Sequence, residues 1–431
     1  MNTNAEIVER VIGLDAHPDT FTAALLRGPT PAAAVVENLF HQVPLAQLKN
    51  WAQKQTTGQD LFVLEASGNS FEVVRTLAAI GRKALVLESG HLGKLKEAHA
   101  NNDKISAVRI GKAYLAGTAK TVWVPDPQTQ ERRDWFHAHR KAVKRTTQMR
   151  NRLLSYLSDH GVRLPAETRL AREPEKAKAQ IQPAREWPPR QWQVVEGLLM
   201  ELAHAEQQRQ HWRSLIAQEV LADPNLLSIV RLCGVREMVA FALGALVGDI
   251  HRFAAPGKLV KYIGLNPAFD DSGANRWAGG IGGHGRKDLR CLLIESAHAI
   301  LRCARTPLAH WGKKLLARKG EIKLVVAAIA RKLAVAVWYL MMGRWTPVAE
   351  VDLRLEIKLG KIITQVAPAK ELLKKVGKTR SAWLQEIRDR LKTGREYLQP
   401  PTQKPIPTTS SSLAAEYGWS AGACNPSGQR I

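Results

Sequence analysis

Three carboxylates in this sequence stand where apolar runs stop. Asp15 closes the run Arg10 to Asp15 (RVIGLD), Glu65 follows the run Leu61 to Leu64, and Asp103 opens a helical pattern, NDKISAVRIGKAYLAG. Carboxylates at the ends of adjacent strands can converge on one point. There they can hold Mg²⁺, a hard cation bound through a few carboxylates and substrate phosphate oxygens. Such an ion ionises a nucleophile and neutralises charge that builds on a phosphodiester. Taken singly, each acid reads more simply as a solvated loop acid or a helix cap; only their joint placement suggests a site.

A second group surrounds Ser272. The segment Pro267-Ala-Phe-Asp-Asp-Ser-Gly-Ala274 is followed by Gly279-Gly-Ile-Gly-Gly-His-Gly-Arg-Lys-Asp-Leu-Arg290. Ser272 precedes a glycine on what reads as a flexible loop, with Arg276, Arg286, Lys287 and Arg290 close by in sequence. A serine attacks phosphate when cations offset negative charge and a base or metal takes its proton. The plain alternative for Ser272-Gly273 is an ordinary turn. The same segment holds a formal GxGxxG from Gly280 to Gly285, but no apolar strand is evident before it and no βαβ unit surrounds it, so a dinucleotide site is not expected.

A third group is the run from Asp134 to Leu157, which has the pattern of a long basic helix. Arg140, Lys141, Lys144, Arg145, Arg150 and Arg152 lie along it with few acids to balance them. The choice is between phosphate contact and a merely solvated face. Cys233-Gly234-Val235 is a small-residue turn between two apolar helical runs. It suits either a phosphate-binding turn or a simple helix hairpin.

These groups need elements to carry them. Arg10–Asp15 and Thr20–Leu26 fit an antiparallel hairpin, with a third strand near Ala34–Phe40. Val43 to Gln55 has helical spacing, Ser70 to Ile80 is a helix, and Ala84–Leu87 another strand. This predicts a mixed sheet with helices packed on it. Leu164 to Pro188 reads as a loop or linker, and Gln191 to Val220 as a helical arm. Leu226 to Met342 reads as a second, mostly helical unit, residues 346 to about 397 as charged helices, and the stretch from Pro400 as low-complexity tail. The expected division is 1–160, 161–221, 222–345 and 346–431.

Composition narrows the function classes. The 431 residues include 63 Lys plus Arg against 39 Asp plus Glu, a net charge of +24, and 45% are hydrophobic. That excludes global disorder and points to a polyanionic partner, nucleic acid first. Four cysteines without a CxxC pair argue against a disulfide scaffold or zinc knuckle and for a reducing compartment. The N-terminal segment lacks the pattern of a secretory signal. The most membrane-like stretch, Leu324 to Met342, carries Arg331 and Lys332 at its centre and reads as a buried helix, so no membrane association is expected.

Together these residues resemble the IS110/IS1111 family of bacterial insertion-sequence transposases, also called DEDD transposases, over roughly residues 8 to 345. The similarity is carried by Gly13-Leu14-Asp15, Glu65-Ala66-Ser67-Gly68, Asp103-Lys-Ile-Ser106-Ala107, Gly234-Val235, Tyr262-Ile-Gly-Leu-Asn-Pro267, Ser272-Gly273, Arg290-Cys-Leu-Leu293 and Ala330-Arg-Lys-Leu333. The resemblance implies an α/β N-terminal RuvC/RNase H-like domain, a helical, coiled-coil-like arm and a mostly α C-terminal transposase domain. It implies that Asp15, Glu65 and Asp103 bind Mg²⁺, with Ser106 a weaker ligand where the family has a fourth acid. It further implies that Ser272 attacks DNA to give a transient phosphoserine link. Implied partners are DNA (element ends and target), a structured non-coding guide RNA and further copies of the chain, as a dimer or tetramer. The implied location is the bacterial cytoplasm, in association with the nucleoid.

Two other readings compete. One is a DNA invertase or Holliday-junction nuclease that uses only the carboxylates. The other, motivated by Ser106, is a catalytically impaired nucleic-acid-binding remnant.

Overall fold

In the computed structural model, residues 10–90, 102–165, 168–272, 275–282, 284–303, 306–344, 346, 353–366, 377 and 379–397 are described. The N-terminal segment, Gly273 and the tail from Pro400 thus lie outside the described residues. The chain forms two compact units, residues 1–128 and 129–431.

The first unit is a mixed α/β domain. Its six strands are β1 (Val11–Ala16), β2 (Thr20–Arg27), β3 (Val35–Pro44), β4 (Leu61–Glu65), β5 (Lys83–Leu87) and β6 (Thr121–Val122), in the order β3-β2-β1-β4-β5-β6. β1, β2 and β3 pair antiparallel; β4 and β5 join parallel to β1; β6 is antiparallel to β5. This order is compatible with the architecture that the resemblance implies.

Strand periodicity sorts the side chains into two layers. Ile12, Leu14, Phe62, Leu64 and Val86 face one way and bury against Leu48 and Trp51 of α1 (Leu48–Gln55) and Val73 and Leu77 of α2 (Ser70–Ala78). Trp51 meets Phe21, Phe40 and Phe62 edge to face, with centroids 5.0, 5.2 and 6.3 Å apart. Val11, Leu61, Val63 and Leu87 face the other way, onto Ile110 and Ala113 of α3 (Asp103–Leu115). β3 runs further than its β-formers suggest, to Pro44, because Val43 pairs with Phe21 of β2. The helix expected from Val43 therefore starts only at Leu48, after a short 3₁₀ turn.

The second unit is mostly helical. α4 (Pro127–Asp159) and α6 (Pro189–Ala222) are the long helices of the arm. The stretch expected to be a linker contains a helix, α5 (Pro174–Ile181), started by Pro174 in the first helical turn. Its Ala177 and Ile181 are buried with Leu153 and Leu157 of α4 and Leu198, Leu199 and Leu202 of α6 in a small separate core. The main core is built from α7 (Pro224–Val230), α8 (Glu237–Val247), α9 (Pro256–Ile263), α10 (Lys287–Cys303), α11 (Pro307–Lys319) and α12 (Ile322–Met341). α12 has the length and apolarity to cross a membrane, but Val325, Ile329, Leu333 and Val337 are buried in this core. α13 (Leu353–Ile363) and α14 (Arg380–Tyr397) add to it through Leu355, Leu359, Ile362 and Ile387. Gly234 lies against the backbone of α10, where a Cβ would meet Ser296 O at 2.9 Å, so its turn is spent on helix packing.

One buried titratable group makes this unit pH-sensitive. His139 of α4 is 7% exposed, and its Nε2 has no hydrogen-bond partner among the described residues. Burial, then Arg209 and Arg213, push its pKa down to about 4. The folded state thus holds the ring neutral while the unfolded chain protonates it near the ordinary value. Its contribution is complete above about pH 6.5 and is lost as pH falls through about 4. Lowering the pH from 7 to 5 is expected to remove roughly 2 kcal/mol. Denaturant melts of His139→Leu against the native chain should show that component missing; an unaltered pH slope would refute it.

Candidate active site

The carboxylates meet because of sheet register. Leu14 pairs with Leu64 across the parallel β1–β4 ladder, which sets Asp15 and Glu65 at the same end of neighbouring strands. Gly13 and Asp15 share a face of β1, the face that α3 covers. A Cβ on Gly13 would lie 1.9 Å from the carbonyl oxygen of Ala107 and 2.9 Å from the nitrogen of Gly111. Glycine at that position is what lets α3 rest directly on the strand. The start of α3 then reaches Asp15, since Asp103 is its first residue and Ser106 is one turn on. Asn102 caps the helix by accepting from Ile105 N at 2.9 Å, which fixes where Asp103 begins.

Gly13→Ala is therefore expected to push α3 off the sheet. The cost is about 3 kcal/mol, set by a backbone clash that no rotamer relieves. Circular-dichroism melts would measure it; an unchanged melting temperature would show that the close approach is not required.

The electrostatics follow from the packing. Burial pushes the Asp15 carboxyl above the ordinary carboxylate range. His17 works against that rise, while Asp103 and Glu65 add to it, and a hydrogen bond from the Ser106 hydroxyl lowers it. Of the expected residues, Glu65, Asp103 and Ser106 thus act on the carboxyl group of Asp15. The sequence reading missed His17, whose Nε2 is 3.9 Å from Asp15 Oδ2 and 3.5 Å from Asp103 Oδ1. Its signal was its place two residues after Asp15. Asn69 was also missed: its side-chain amide donates to the His17 carbonyl at 2.8 Å and ties the loop after β4 to the loop after β1.

A half-buried acid whose proton affinity is raised by burial and by neighbouring carboxylates is part of the kind of donor set a divalent cation stabilises. Asp15, His17 and Asp103 each offer one ligand atom within 4.8 Å of the others. The residues present therefore fit such an ion.

Ser272 belongs to the second unit. It is not on an open loop but ends β7 (Pro267–Ser272), which forms a two-stranded antiparallel sheet with β8 (Asn275–Ile281). Ser272 pairs with Asn275, and Asp271 with Arg276. A strand, β8, thus does enter the GxGxxG segment, contrary to expectation. Among the described residues it pairs antiparallel with β7 alone, and no parallel βαβ unit surrounds those glycines.

The short motifs around the hairpin lock together at its root. α9 ends at Gly264 in a left-handed conformation, φ 80°. Gly285 packs against it so closely that a Cβ there would be 2.7 Å from Gly264 N. Arg286 N donates to Tyr262 O at 2.9 Å. Arg290 Nη1 donates to His284 O at 2.7 Å and Gly264 O at 3.4 Å. Arg331 Nε, on α12, donates to Leu265 O at 2.6 Å. Three stretches of sequence, residues 262–265, 284–290 and 331, therefore meet just before β7.

The expected phosphate-binding cations divide. Arg140, Lys141, Lys144 and Arg145 are exposed on one face of α4, and no ion pair joins them to a carboxylate among the described residues. Lys287 is exposed at the start of α10. Arg286 is held by the Asp288 carboxylate at 3.2 and 3.3 Å, and Arg290 braces the hairpin root. Arg276 lies in β8 by its backbone.

Residues 228–311, which include the hairpin and its root, match the family described as Transposase IS116/IS110/IS902 family. The chain is 26% identical over 287 residues to the transposase for insertion sequence element IS1111A of Coxiella burnetii (strain RSA 493 / Nine Mile phase I), covering 66% of this chain and 78% of that one. It is 25% identical to the putative transposase y4qE of Sinorhizobium fredii (strain NBRC 101917 / NGR234), over 63% of this chain and 65% of that protein. It is 23% identical to a probable family 20 transposase of Pseudomonas aeruginosa, over 78% and 94% of the two chains.

Proposed function

We propose that this chain, an IS110-family transposase of an insertion sequence, cuts and rejoins DNA with a RuvC-like carboxylate site in its first unit and Ser272 in its second. The observation that carries the reading is that Asp15 and Asp103 bring ligand atoms within 4.8 Å of one another, with Glu65 at the same end of the paired strand.

Asp15, Glu65 and Asp103 would hold Mg²⁺. When bound, the cation supplies charge neutralisation on the phosphodiester and eases deprotonation of a nucleophile. Ser106 donates a hydrogen bond to Asp15, which favours its ionised form. Ser272 Oγ attacks phosphorus, and the bond from phosphorus to one deoxyribose oxygen breaks. The serine proton passes to a base, and the departing deoxyribose oxygen takes one up. Attack by the hydroxyl of another DNA end on the phosphoserine reverses these changes and releases Ser272. The number of phosphodiester bonds is conserved, so no ATP is needed. The reading requires that both groups of residues act on one phosphodiester, which an assembly of several copies would allow.

The exposed cations of α4 and the net charge of +24 support binding of DNA and of a guide RNA. A DNA-acting enzyme of this kind works in the cytoplasm.

Removing divalent cations should stop the reaction and spare binding. With element-end DNA, strand cleavage is expected in Mg²⁺, none in EDTA, and recovery when Mg²⁺ is restored, read on a denaturing gel. Cleavage that persists in EDTA would exclude the cation-dependent site.

A further inference from the structure

We propose that His17 supplies a nitrogen ligand to the cation held by Asp15 and Asp103, and that this moves the site's preference from Mg²⁺ toward Mn²⁺. The inference rests on the cation-site reading above.

The geometry is that of ligands around an ion rather than of partners in a hydrogen bond. His17 Nε2 is 3.5 Å from Asp103 Oδ1 and 3.9 Å from Asp15 Oδ2, both long for a good N–H···O contact. Two ligand atoms each about 2.1 Å from one cation are roughly 3.0 Å apart when adjacent and roughly 4.2 Å apart when opposite. The observed separations fall inside that window.

The His17 backbone is held from both sides. His17 N donates to Thr20 O at 2.8 Å, and Pro18 restricts the conformation of His17. The His17 carbonyl accepts from Asn69 Nδ2 at 2.8 Å. Asn69 is itself held by the Ser67 hydroxyl at 3.1 Å, in the loop that follows Glu65. The backbone that carries the imidazole is therefore tied to the two loops that follow the acid-bearing strands.

The chemistry sets the cation preference. Ser106 offers the site a neutral hydroxyl, already engaged with Asp15, rather than a charged oxygen. A neutral imidazole supplies a strong donor without adding negative charge. Mg²⁺ is bound almost wholly through oxygen, whereas transition-metal ions accept imidazole readily. A site with two or three carboxylates and one imidazole should therefore hold Mn²⁺ better, relative to Mg²⁺, than an all-carboxylate site does.

The test uses tag-free full-length protein without DNA. Mn²⁺ binding is followed by electron paramagnetic resonance, Mg²⁺ by competition, and the ligand by pulsed measurement of nitrogen hyperfine modulation. Imidazole modulation is expected in the native protein. In His17→Ala it should vanish, with Mn²⁺ affinity down about tenfold and the Mn²⁺-to-Mg²⁺ affinity ratio reduced. Bound Mn²⁺ in the native protein without imidazole modulation, or modulation that survives in His17→Ala, would overturn the assignment of His17 alone. Mn²⁺ binding that is unchanged by Asp15→Asn would instead remove the carboxylate site and the proposed function with it.

Discussion

Asp15→Asn is expected to lower strand cleavage by at least about a thousandfold while leaving the first unit folded. Asp15 sits where β1, β4 and the start of α3 meet, and its carboxyl is the one on which Glu65, Asp103, His17 and Ser106 all act. Asparagine keeps the shape and loses the charge. Because burial and the neighbouring acids raise the Asp15 carboxyl in the folded state, that state binds its proton more readily than the unfolded chain does. In the absence of cations this group's contribution is thus larger at low pH and falls as pH rises. Asn imitates the protonated form, so the variant should melt slightly above the native protein in EDTA. Mg²⁺ should raise the native melting temperature and not that of the variant. Cleavage within tenfold of the native rate, or an equal Mg²⁺ shift in both proteins, would contradict the role given to Asp15.

The second large effect is expected from Ser272→Ala. A protein–DNA adduct that resists denaturant should disappear, with DNA affinity changed less than about threefold, since removing one hydroxyl removes no charge. The backbone partner Asn275 pairs through main-chain groups, so alanine leaves the hairpin intact. The readout is a labelled DNA strand that co-migrates with the protein on a denaturing gel. If Ser272→Ala still cleaves while Asp15→Asn does not, the carboxylates act alone, as in an invertase or junction nuclease. If the native chain binds nucleic acid in a salt-sensitive way and cuts nothing in Mg²⁺ or Mn²⁺, the chain is a binding remnant. A gain of cleavage in Ser106→Asp would then locate the damage.

Much of the candidate site was legible because strand ends are marked in one dimension. An apolar run that stops at a carboxylate, as at Asp15 and Glu65, needs no partner to be noticed. Asp103 was legible as the start of a helix because Asn102 before it is a natural cap. His17 was not, because a lone histidine before Pro-Asp looks like turn residue until the neighbouring strand and helix are in place. The hairpin at β7–β8 was read as a loop because its strands carry Asp, Ser, Asn and Gly, residues of low β-propensity. Backbone pairing, with both strands held at the root by Gly264, Gly285, Arg290 and Arg331, overrides that preference. α5 was hidden for a similar reason: its Pro, Glu and Lys content masks two apolar residues, Ala177 and Ile181, that matter only once α4 and α6 supply something to bury them against.

By itself the sequence determined the excess of positive charge, the alternation of strand and helix in the first unit, and the residue types able to bind a cation or attack phosphate. Those properties are local, carried by side-chain chemistry and by periods of two or three to four residues. Only the tertiary structure decided that Asp15 and Glu65 are neighbours, that a bare Gly13 brings the start of α3 onto them, that His17 joins the cluster, and that Arg290 serves the hairpin's root. Each of those depends on the pairing of β1 with β4 across some fifty residues, or on helices packing over comparable separations, and register and close approach between distant segments leave no periodic mark on the chain.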